Sequence, residues 1–351
     1  MHLTSISLKS LILFISLILF FIPSQVFPEE ESEGWKQFSD MPEQRTSSAS
    51  VLVNGKIYVL GGLNNSEQAT DTIFVYNSKN DKWESASPMP KSLHHLGAAI
   101  YDGKIFVVGG YTDNWVPSSS LLIYDIKTNS WQIGNPMPTP RGALTTEFVR
   151  GKLYAIGGFS NVTHSEVQEY DPITNSWVSK ASMPTAREHL TSAVLDEKLY
   201  AIGGYAKGIG SLDSNERYDP TTNSWEPLEP MPTPRNGLTA SELNGAIFVF
   251  GGDNTVQTLS ENEVYIPNVG WQTMQSIPIP RQGLFSATVE NTIFIIGGGI
   301  LTGASYSKLN HGYTNTSIPE FGLIIPLVMV ASFGFLIFIL RLKMNLQPGF
   351  R

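Results

Sequence analysis

Residues Lys198-Leu199-Tyr200-Ala201-Ile202-Gly203-Gly204 form an apolar run closed by a glycine pair. The pair recurs at Gly61, Gly109, Gly157, Gly251 and Gly297. A tryptophan stands 26 residues before each of the six: Trp35, Trp83, Trp131, Trp177, Trp225 and Trp271. The unit repeats every 46–48 residues, and a register held through six copies marks a repeat architecture before local propensity is consulted.

Outward from Gly203-Gly204, one unit resolves into four strands. Thr191–Leu195 is a small-residue apolar run suited to a crowded axis, and Asp196-Glu197 turns it into the Lys198–Gly204 strand. A variable stretch runs to Ser214, Asn215–Tyr218 forms a third strand, and Asp219-Pro220-Thr221-Thr222-Asn223 is a turn. Trp225–Leu228 is the fourth. Hairpin signals at Asn54-Gly55, Asp102-Gly103 and Asn244-Gly245 repeat the pattern. Six units of four antiparallel strands predict an all-β six-bladed propeller. Tyr76, Tyr124, Tyr170, Tyr218 and Tyr265 precede the next tryptophan by six or seven residues and are expected to pack with it between neighbouring blades.

The glycine pairs, the Tyr-Asp-Pro-x-Thr-Asn-x-Trp stretches (Tyr170–Trp177 and Tyr218–Trp225) and the following Met-Pro-x-x-Arg resemble kelch repeats over most of the chain. Trp35-Lys36-Gln37-Phe38 is a fourth strand with no first three before it. The last unit has strands at Leu284–Val289 and Thr292–Gly297 and a weak third near Leu309–Tyr313, but no tryptophan strand. The N-terminal strand is therefore expected to complete that blade and close the ring, as is known across propellers. Residues 35–313 form the propeller in this reading.

Both ends point to a membrane. Lys9 followed by the apolar run Leu11–Ile22 reads as a signal peptide over residues 1–28, and residues 29–34 form an acidic tether. After a linker at 314–320, residues 321–340 are 20 residues without a charge, the length a transmembrane helix needs. Basic residues in the 341–351 tail place the C-terminus in the cytoplasm and the propeller outside. Pro319-Glu320-Phe321-Gly322, the apolar stretch and the basic tail also resemble the sorting signals of archaeosortase- and exosortase-like enzymes. The segment is thus either a retained anchor or a processing signal.

The chain has 351 residues, no cysteine and a net charge of -8. The missing thiols exclude disulfides, thiolate metal sites and a cysteine nucleophile. An acidic chain without a basic stripe argues against nucleic acid.

Strand direction puts the short turns on one face and the variable second-to-third loops, with the blade connections, on the other. That face is where a repeat scaffold carries function. Arg45, Arg141, Arg187, Arg235 and Arg281 each follow the Met position (Ile277 in the last) by four residues. They are expected to ring one mouth of the channel, either as an anion site or as inter-blade hydrogen-bond donors. Leu93 breaks the series, with His94-His95 following, and His95 and His189 occupy equivalent positions. Two histidines near one mouth suit proton transfer or metal ligation, although loop histidines are more often plain polar residues. Trp115 is the only tryptophan off the period and suits stacking on a sugar or partner. Asn64, Asn161 and Asn315 are N-x-Ser/Thr glycosylation acceptors.

No catalytic motif, cofactor or metal is expected. The leading expectation is a membrane-anchored binding module that takes a protein or a glycan on the variable face. Among kelch enzymes, galactose oxidase chemistry is excluded because its copper centre needs a cysteine–tyrosine crosslink. The bacterial N-acetylneuraminate epimerases are a closer resemblance, and imply an acidic sugar substrate for the arginine ring. A purely structural envelope protein is the third reading.

Overall fold

The structure is a computed structural model that describes residues 34–315. It contains six four-stranded antiparallel sheets arranged as the blades of a propeller. After β1 (Gly34–Gln37), the first blade is β2 (Ala49–Val53), β3 (Lys56–Leu60), β4 (Ile73–Asn77) and β5 (Lys82–Ala86), in that spatial order. The first strands of neighbouring blades pack side by side around the axis. In the fourth blade the observed strands are Thr191–Leu195, Lys198–Ile202, Asn215–Asp219 and Ser224–Pro227, within two residues of expectation. The variable stretch between its second and third strands adds a small ribbon, Tyr205–Ala206 paired with Gly210–Ser211.

The ring closes at the expected seam. β1 pairs antiparallel with Asn310–Thr314, Trp35 standing opposite Tyr313, and so becomes the outer strand of the last blade. Their rings lie 4.9 Å apart, and Trp35 Nε1 donates to the Gln275 carbonyl of the preceding blade at 3.0 Å. Gly34 and Thr314 are partners in this ladder, so both ends of the propeller leave from the short-turn face.

Each tryptophan follows the same plan. Tyr76 and Trp83 are cross-strand partners with ring centroids 4.9 Å apart, and Trp83 Nε1 donates to Ser39 O at 2.8 Å across the blade boundary. The tyrosine–tryptophan contact is thus made within a blade, and the indole N–H reaches to its neighbour. The apolar core is a set of layers between adjacent blades. One joins Val51, Leu60 and Ile73 to Ile105, Val107 and Leu122; another joins Ile57 and Phe74 to Phe285 and Phe294.

The glycine pair explains how blades approach so closely. At Gly109 φ is +65°, and a Cβ would stand 2.5 Å from the Arg141 carbonyl oxygen of the next blade. The amide of Gly110 donates to that same carbonyl at 3.0 Å. A side chain is therefore excluded by both dihedral and space.

Among the described residues no helix is long and apolar enough to cross a membrane. The apolar stretches at 11–22 and 321–340, the Pro319–Gly322 motif and the basic tail lie outside the described residues.

Candidate functional site

The blade connections deliver six equivalent residues to the axis: Ser47, His95, Ala143, His189, Gly237 and Gly283. All six adopt positive φ, between 50° and 61°. Each donates its backbone N–H to the carbonyl of its counterpart one blade back. His95 bonds Ser47 at 2.8 Å, Ala143 bonds His95 at 2.9 Å, His189 bonds Ala143 at 2.9 Å and Gly237 bonds His189 at 2.9 Å. Gly283 bonds Gly237 at 2.7 Å and Ser47 bonds Gly283 at 2.8 Å, which closes a circle of six hydrogen bonds. Left-handed backbone costs a non-glycine residue about 1–2 kcal/mol, and the circle offsets that cost by pairing every amide involved. Below it the innermost strands enclose an axial channel of about 410 Å³ whose lining includes Ser50, Glu147, Ser192 and Ser286.

Above it, on the long-loop face, lies a cavity of about 350 Å³. The blade connections contribute Thr46, Ser47, His95, His189, Asn236 and Gln282 to its lining. The long loops contribute Leu63, Glu67, Trp115, Asp253, Gly303, Ala304 and Tyr306. Three residues singled out from the sequence, His95, His189 and Trp115, therefore converge on one cavity. The rings of His95 and His189 are 5.0 Å apart, and those of His95 and Trp115 are 5.3 Å apart.

Trp115 is set rather than loose. Its backbone has φ +55° and its amide bonds Thr112 O at 2.8 Å. Its ring packs on His94 at 4.5 Å and Tyr111 at 5.5 Å, yet the residue stays 55 % exposed. Behind it, His94 is fully buried, with Nε2 3.2 Å from Thr112 O and Nδ1 2.6 Å from His95 Nδ1. A carbonyl can only accept, so Nε2 of His94 carries the proton and Nδ1 is the acceptor. His95 must then donate through Nδ1, which leaves its Nε2 as an acceptor.

Both cavity histidines are held neutral. Burial, then the neighbouring His94, pushes His189 down to about 4. Burial, then His189 and His94, holds His95 well below its usual value. The nearby Glu188 is pushed up to about 7 by burial. Asp253 is raised by burial, against the hydrogen bonds it accepts from Thr255 N at 2.7 Å and Asn236 Nδ2 at 3.0 Å. Among the described residues neither Glu67 nor Asp253 forms an ion pair, and no lysine or arginine lines the cavity.

The five arginines do not open onto this mouth. They are 0–1 % exposed and turned back into the blades. Arg187 binds Glu216 Oε2 at 2.6 Å and Ala201 O at 2.9 Å; Arg235 binds Glu263 Oε2 at 2.5 Å and Val249 O at 3.2 Å. Arg141 reaches Gly157 O at 2.8 Å and Gln168 Oε1 at 2.9 Å. Arg281 reaches Gly297 O at 3.0 Å, and Arg45 bonds Thr72 Oγ1 at 2.9 Å and Glu43 Oε2 at 2.5 Å. A guanidinium taken from water needs such acceptors, and here carbonyls and carboxylates of the blades supply them. The residue that reaches the axis is two places further along.

Of the glycosylation acceptors, Asn161 is exposed. Asn64 is half-buried and accepts from the Ser66 and Gln68 amides, and Asn315 is buried. Among the described residues no group of three or more His, Asp or Glu is placed to hold a metal ion.

Around the cavity the long loops carry an apolar crown. Val116, Val162, Ile209, Val256 and Leu301, one from each of five consecutive blades, are between 56 % and 80 % exposed. The remaining loop reads Asn64-Asn65-Ser66-Glu67-Gln68 and is polar throughout.

A family model described as the KLHDC2/KLHL20/DRC7 Kelch-repeats domain matches residues 27–204, half of the chain. The chain belongs to the kelch-repeat family. A second model, the Kelch motif, matches residues 186–232 of this kelch propeller. No curated protein matches it. Among solved structures, that of YjhT is similar at a TM-score of 0.71 and 18% identity, covering 80% of this chain and 97% of the other. At that identity the likeness speaks for the fold alone.

Sequence reasoning missed Glu67, Asp253, Tyr306, Asn236 and Gln282 as cavity residues. A signal was available for three of them. Asn236 and Gln282 directly follow an arginine, and Asp253 follows a glycine pair. The isolated bridges Thr46–Leu63, Asn236–Asp253 and Gln282–Gly299 show that these two positions meet in each blade.

Proposed function

We propose that this kelch propeller is an extracytoplasmic recognition module that docks a partner protein on its long-loop face, with the axial cavity at the centre of the contact. The observation that carries this reading is the crown. Five consecutive loops each expose a large aliphatic side chain on the face that carries the cavity, and apolar side chains offered from one face suit contact with another protein. A glycan gains little from exposed aliphatic side chains, so the crown favours a protein over a glycan.

The orientation fits display. Both ends of the propeller leave on the short-turn face, so an anchor at residues 321–340 would hold the cavity away from its own membrane. The sugar-acid isomerase alternative has less support. Its substrate carboxylate would meet Glu67 and Asp253, and the lining holds no guanidinium or ammonium to receive it.

The test is site-specific photo-crosslinking of the full-length chain in native membranes. A benzophenone side chain at position 209 or 256 should capture the same protein. The same group at Val269, on the short-turn face of the blade that carries Val256, should not. Equal capture from both faces, or glycan-array binding lost on changing Trp115, would overturn the protein-docking reading.

A further inference from the structure

We propose that the axial cavity receives a lysine or arginine side chain of the docked protein, held between the Trp115 ring and the carboxylates of Glu67 and Asp253. This rests on the protein-docking reading and adds to it the chemistry at the centre of the contact.

Charge complementarity selects the occupant. Two carboxylates line the cavity, and neither has a cationic partner among the described residues. The positive groups that could have neutralised them, the five arginines of the blade connections, are sealed behind it; four pair with glutamates and Arg281 donates to the Gly297 carbonyl. Asp253 is 9 % exposed, and a carboxylate so far removed from water gains most from a counter-charge arriving with the ligand. His95 points the same way, because its network leaves Nε2 as an acceptor for an incoming N–H. Trp115 offers an indole to the cavity, and a cation within about 6 Å of such a ring is attracted by its quadrupole. An acidic side chain would add a further negative charge, and a neutral amide or hydroxyl would donate hydrogen bonds without countering the carboxylate charge.

The crown supplies the surroundings. Val116, Val162, Ile209, Val256 and Leu301 would meet apolar side chains flanking the cation and exclude water from the pair. The recognised element is therefore a loop with one basic residue at its tip and aliphatic or aromatic neighbours.

The experiment pans a phage-displayed cyclic heptapeptide library on the full-length chain in detergent. The expected result is enrichment of peptides with an arginine or lysine at one fixed position among apolar residues. Replacing that arginine by citrulline, or that lysine by norleucine, should weaken binding about tenfold, as should Glu67→Gln, since close charge pairs at interfaces couple by more than 1 kcal/mol. Applied together, the two changes should cost no more than either alone. Glu67 lies on an exposed loop tip, so its variant keeps the fold; Trp115→Ala gives a second readout on the same cavity. Enriched peptides that lack a cation but still lose binding on Val256→Asp would overturn the cationic occupant and leave the docking face standing. Peptides indifferent to both Val256→Asp and Glu67→Gln, or no enrichment at all, would overturn both.

Discussion

The rings of His95 and His189 lie 5.0 Å apart on the floor of the axial cavity, brought there by equivalent backbone positions two blades apart. Neither can take a proton without burying a charge beside the other. In the unfolded chain both titrate near 6.5. Because their folded values are depressed, the unfolded state binds more protons as pH falls from 6.5 towards 4, and stability is lost over that window. His94 and His311, each held at about 4, act in the same sense. Glu147 and Glu188, raised to about 7, act oppositely: they favour the folded state as pH falls from 7 to 4.5. Five histidines are depressed against three carboxylates raised, so the melting temperature should drop between pH 6.5 and 4.5. His189→Gln should flatten that slope, and an unchanged slope would show that His189 takes up protons freely in the fold.

Arg187→Ala and Arg235→Ala remove the cation from pairs that are 0 % exposed on the arginine side. Each leaves a buried glutamate without its partner, a loss of about 3–5 kcal/mol. Urea unfolding should show this in full. Ligand affinity of the fraction that remains folded should not change, because neither guanidinium lines the cavity. A loss of affinity without loss of stability would return these arginines to the binding site.

Gly109→Ala and Gly103→Ala form a matched pair. Both glycines have positive φ, +65° and +69°, but the new Cβ meets the Arg141 carbonyl at 2.5 Å in the first and nothing within 4 Å in the second. The turn variant should cost about 1–2 kcal/mol from its dihedral alone. The blade-seam variant should cost clearly more, or fail to fold. Equal destabilisation in a thermal melt would mean that the blades separate easily at the glycine pair.

Trp35→Ala should act at the seam. It removes the Tyr313 and Phe250 contacts and the Nε1 bond to Gln275 O. Trp35 is half-buried, so the loss should fall below the ~3–5 kcal/mol of a tryptophan truncated in a core. Hydrogen exchange should show protection lost first along Asn310–Thr314, whose edge β1 covers. Uniform loss over all six blades would indicate that the ring opens elsewhere.

The blades were legible because they are dictated locally. Period-2 alternation, Asn-Gly turns and the tryptophan–glycine spacing each report on residues near in sequence, and the seam follows from counting strands. The role of the arginines was only half legible. Their recurrence marked an important position, but whether a guanidinium faces the axis or the blade depends on carbonyls such as Ala201 O and Val249 O, which composition does not orient. His95, His189 and Trp115 stood out because they interrupt the repeat. Glu67 and Tyr306 come from loops of unequal length, and nothing in a single sequence sets how far such loops lean inward. The crown escaped notice for the same reason, its members being ordinary aliphatics until five loop tips are seen together.

The circle of amide bonds through Ser47, His95, Ala143, His189, Gly237 and Gly283 has a bearing on how the chain could vary. A solenoid can gain or lose a unit because each unit reads only its neighbours. Here every donor also needs the carbonyl of one particular neighbour, and the series must return to its start without a leftover group. Duplication of one repeat would bring one more donor and one more acceptor to the centre, so the circle could close again only by widening to seven members. Loop sequence and length can vary without touching this circle, whereas a change in blade number must re-form every bond of a ring only one residue deep.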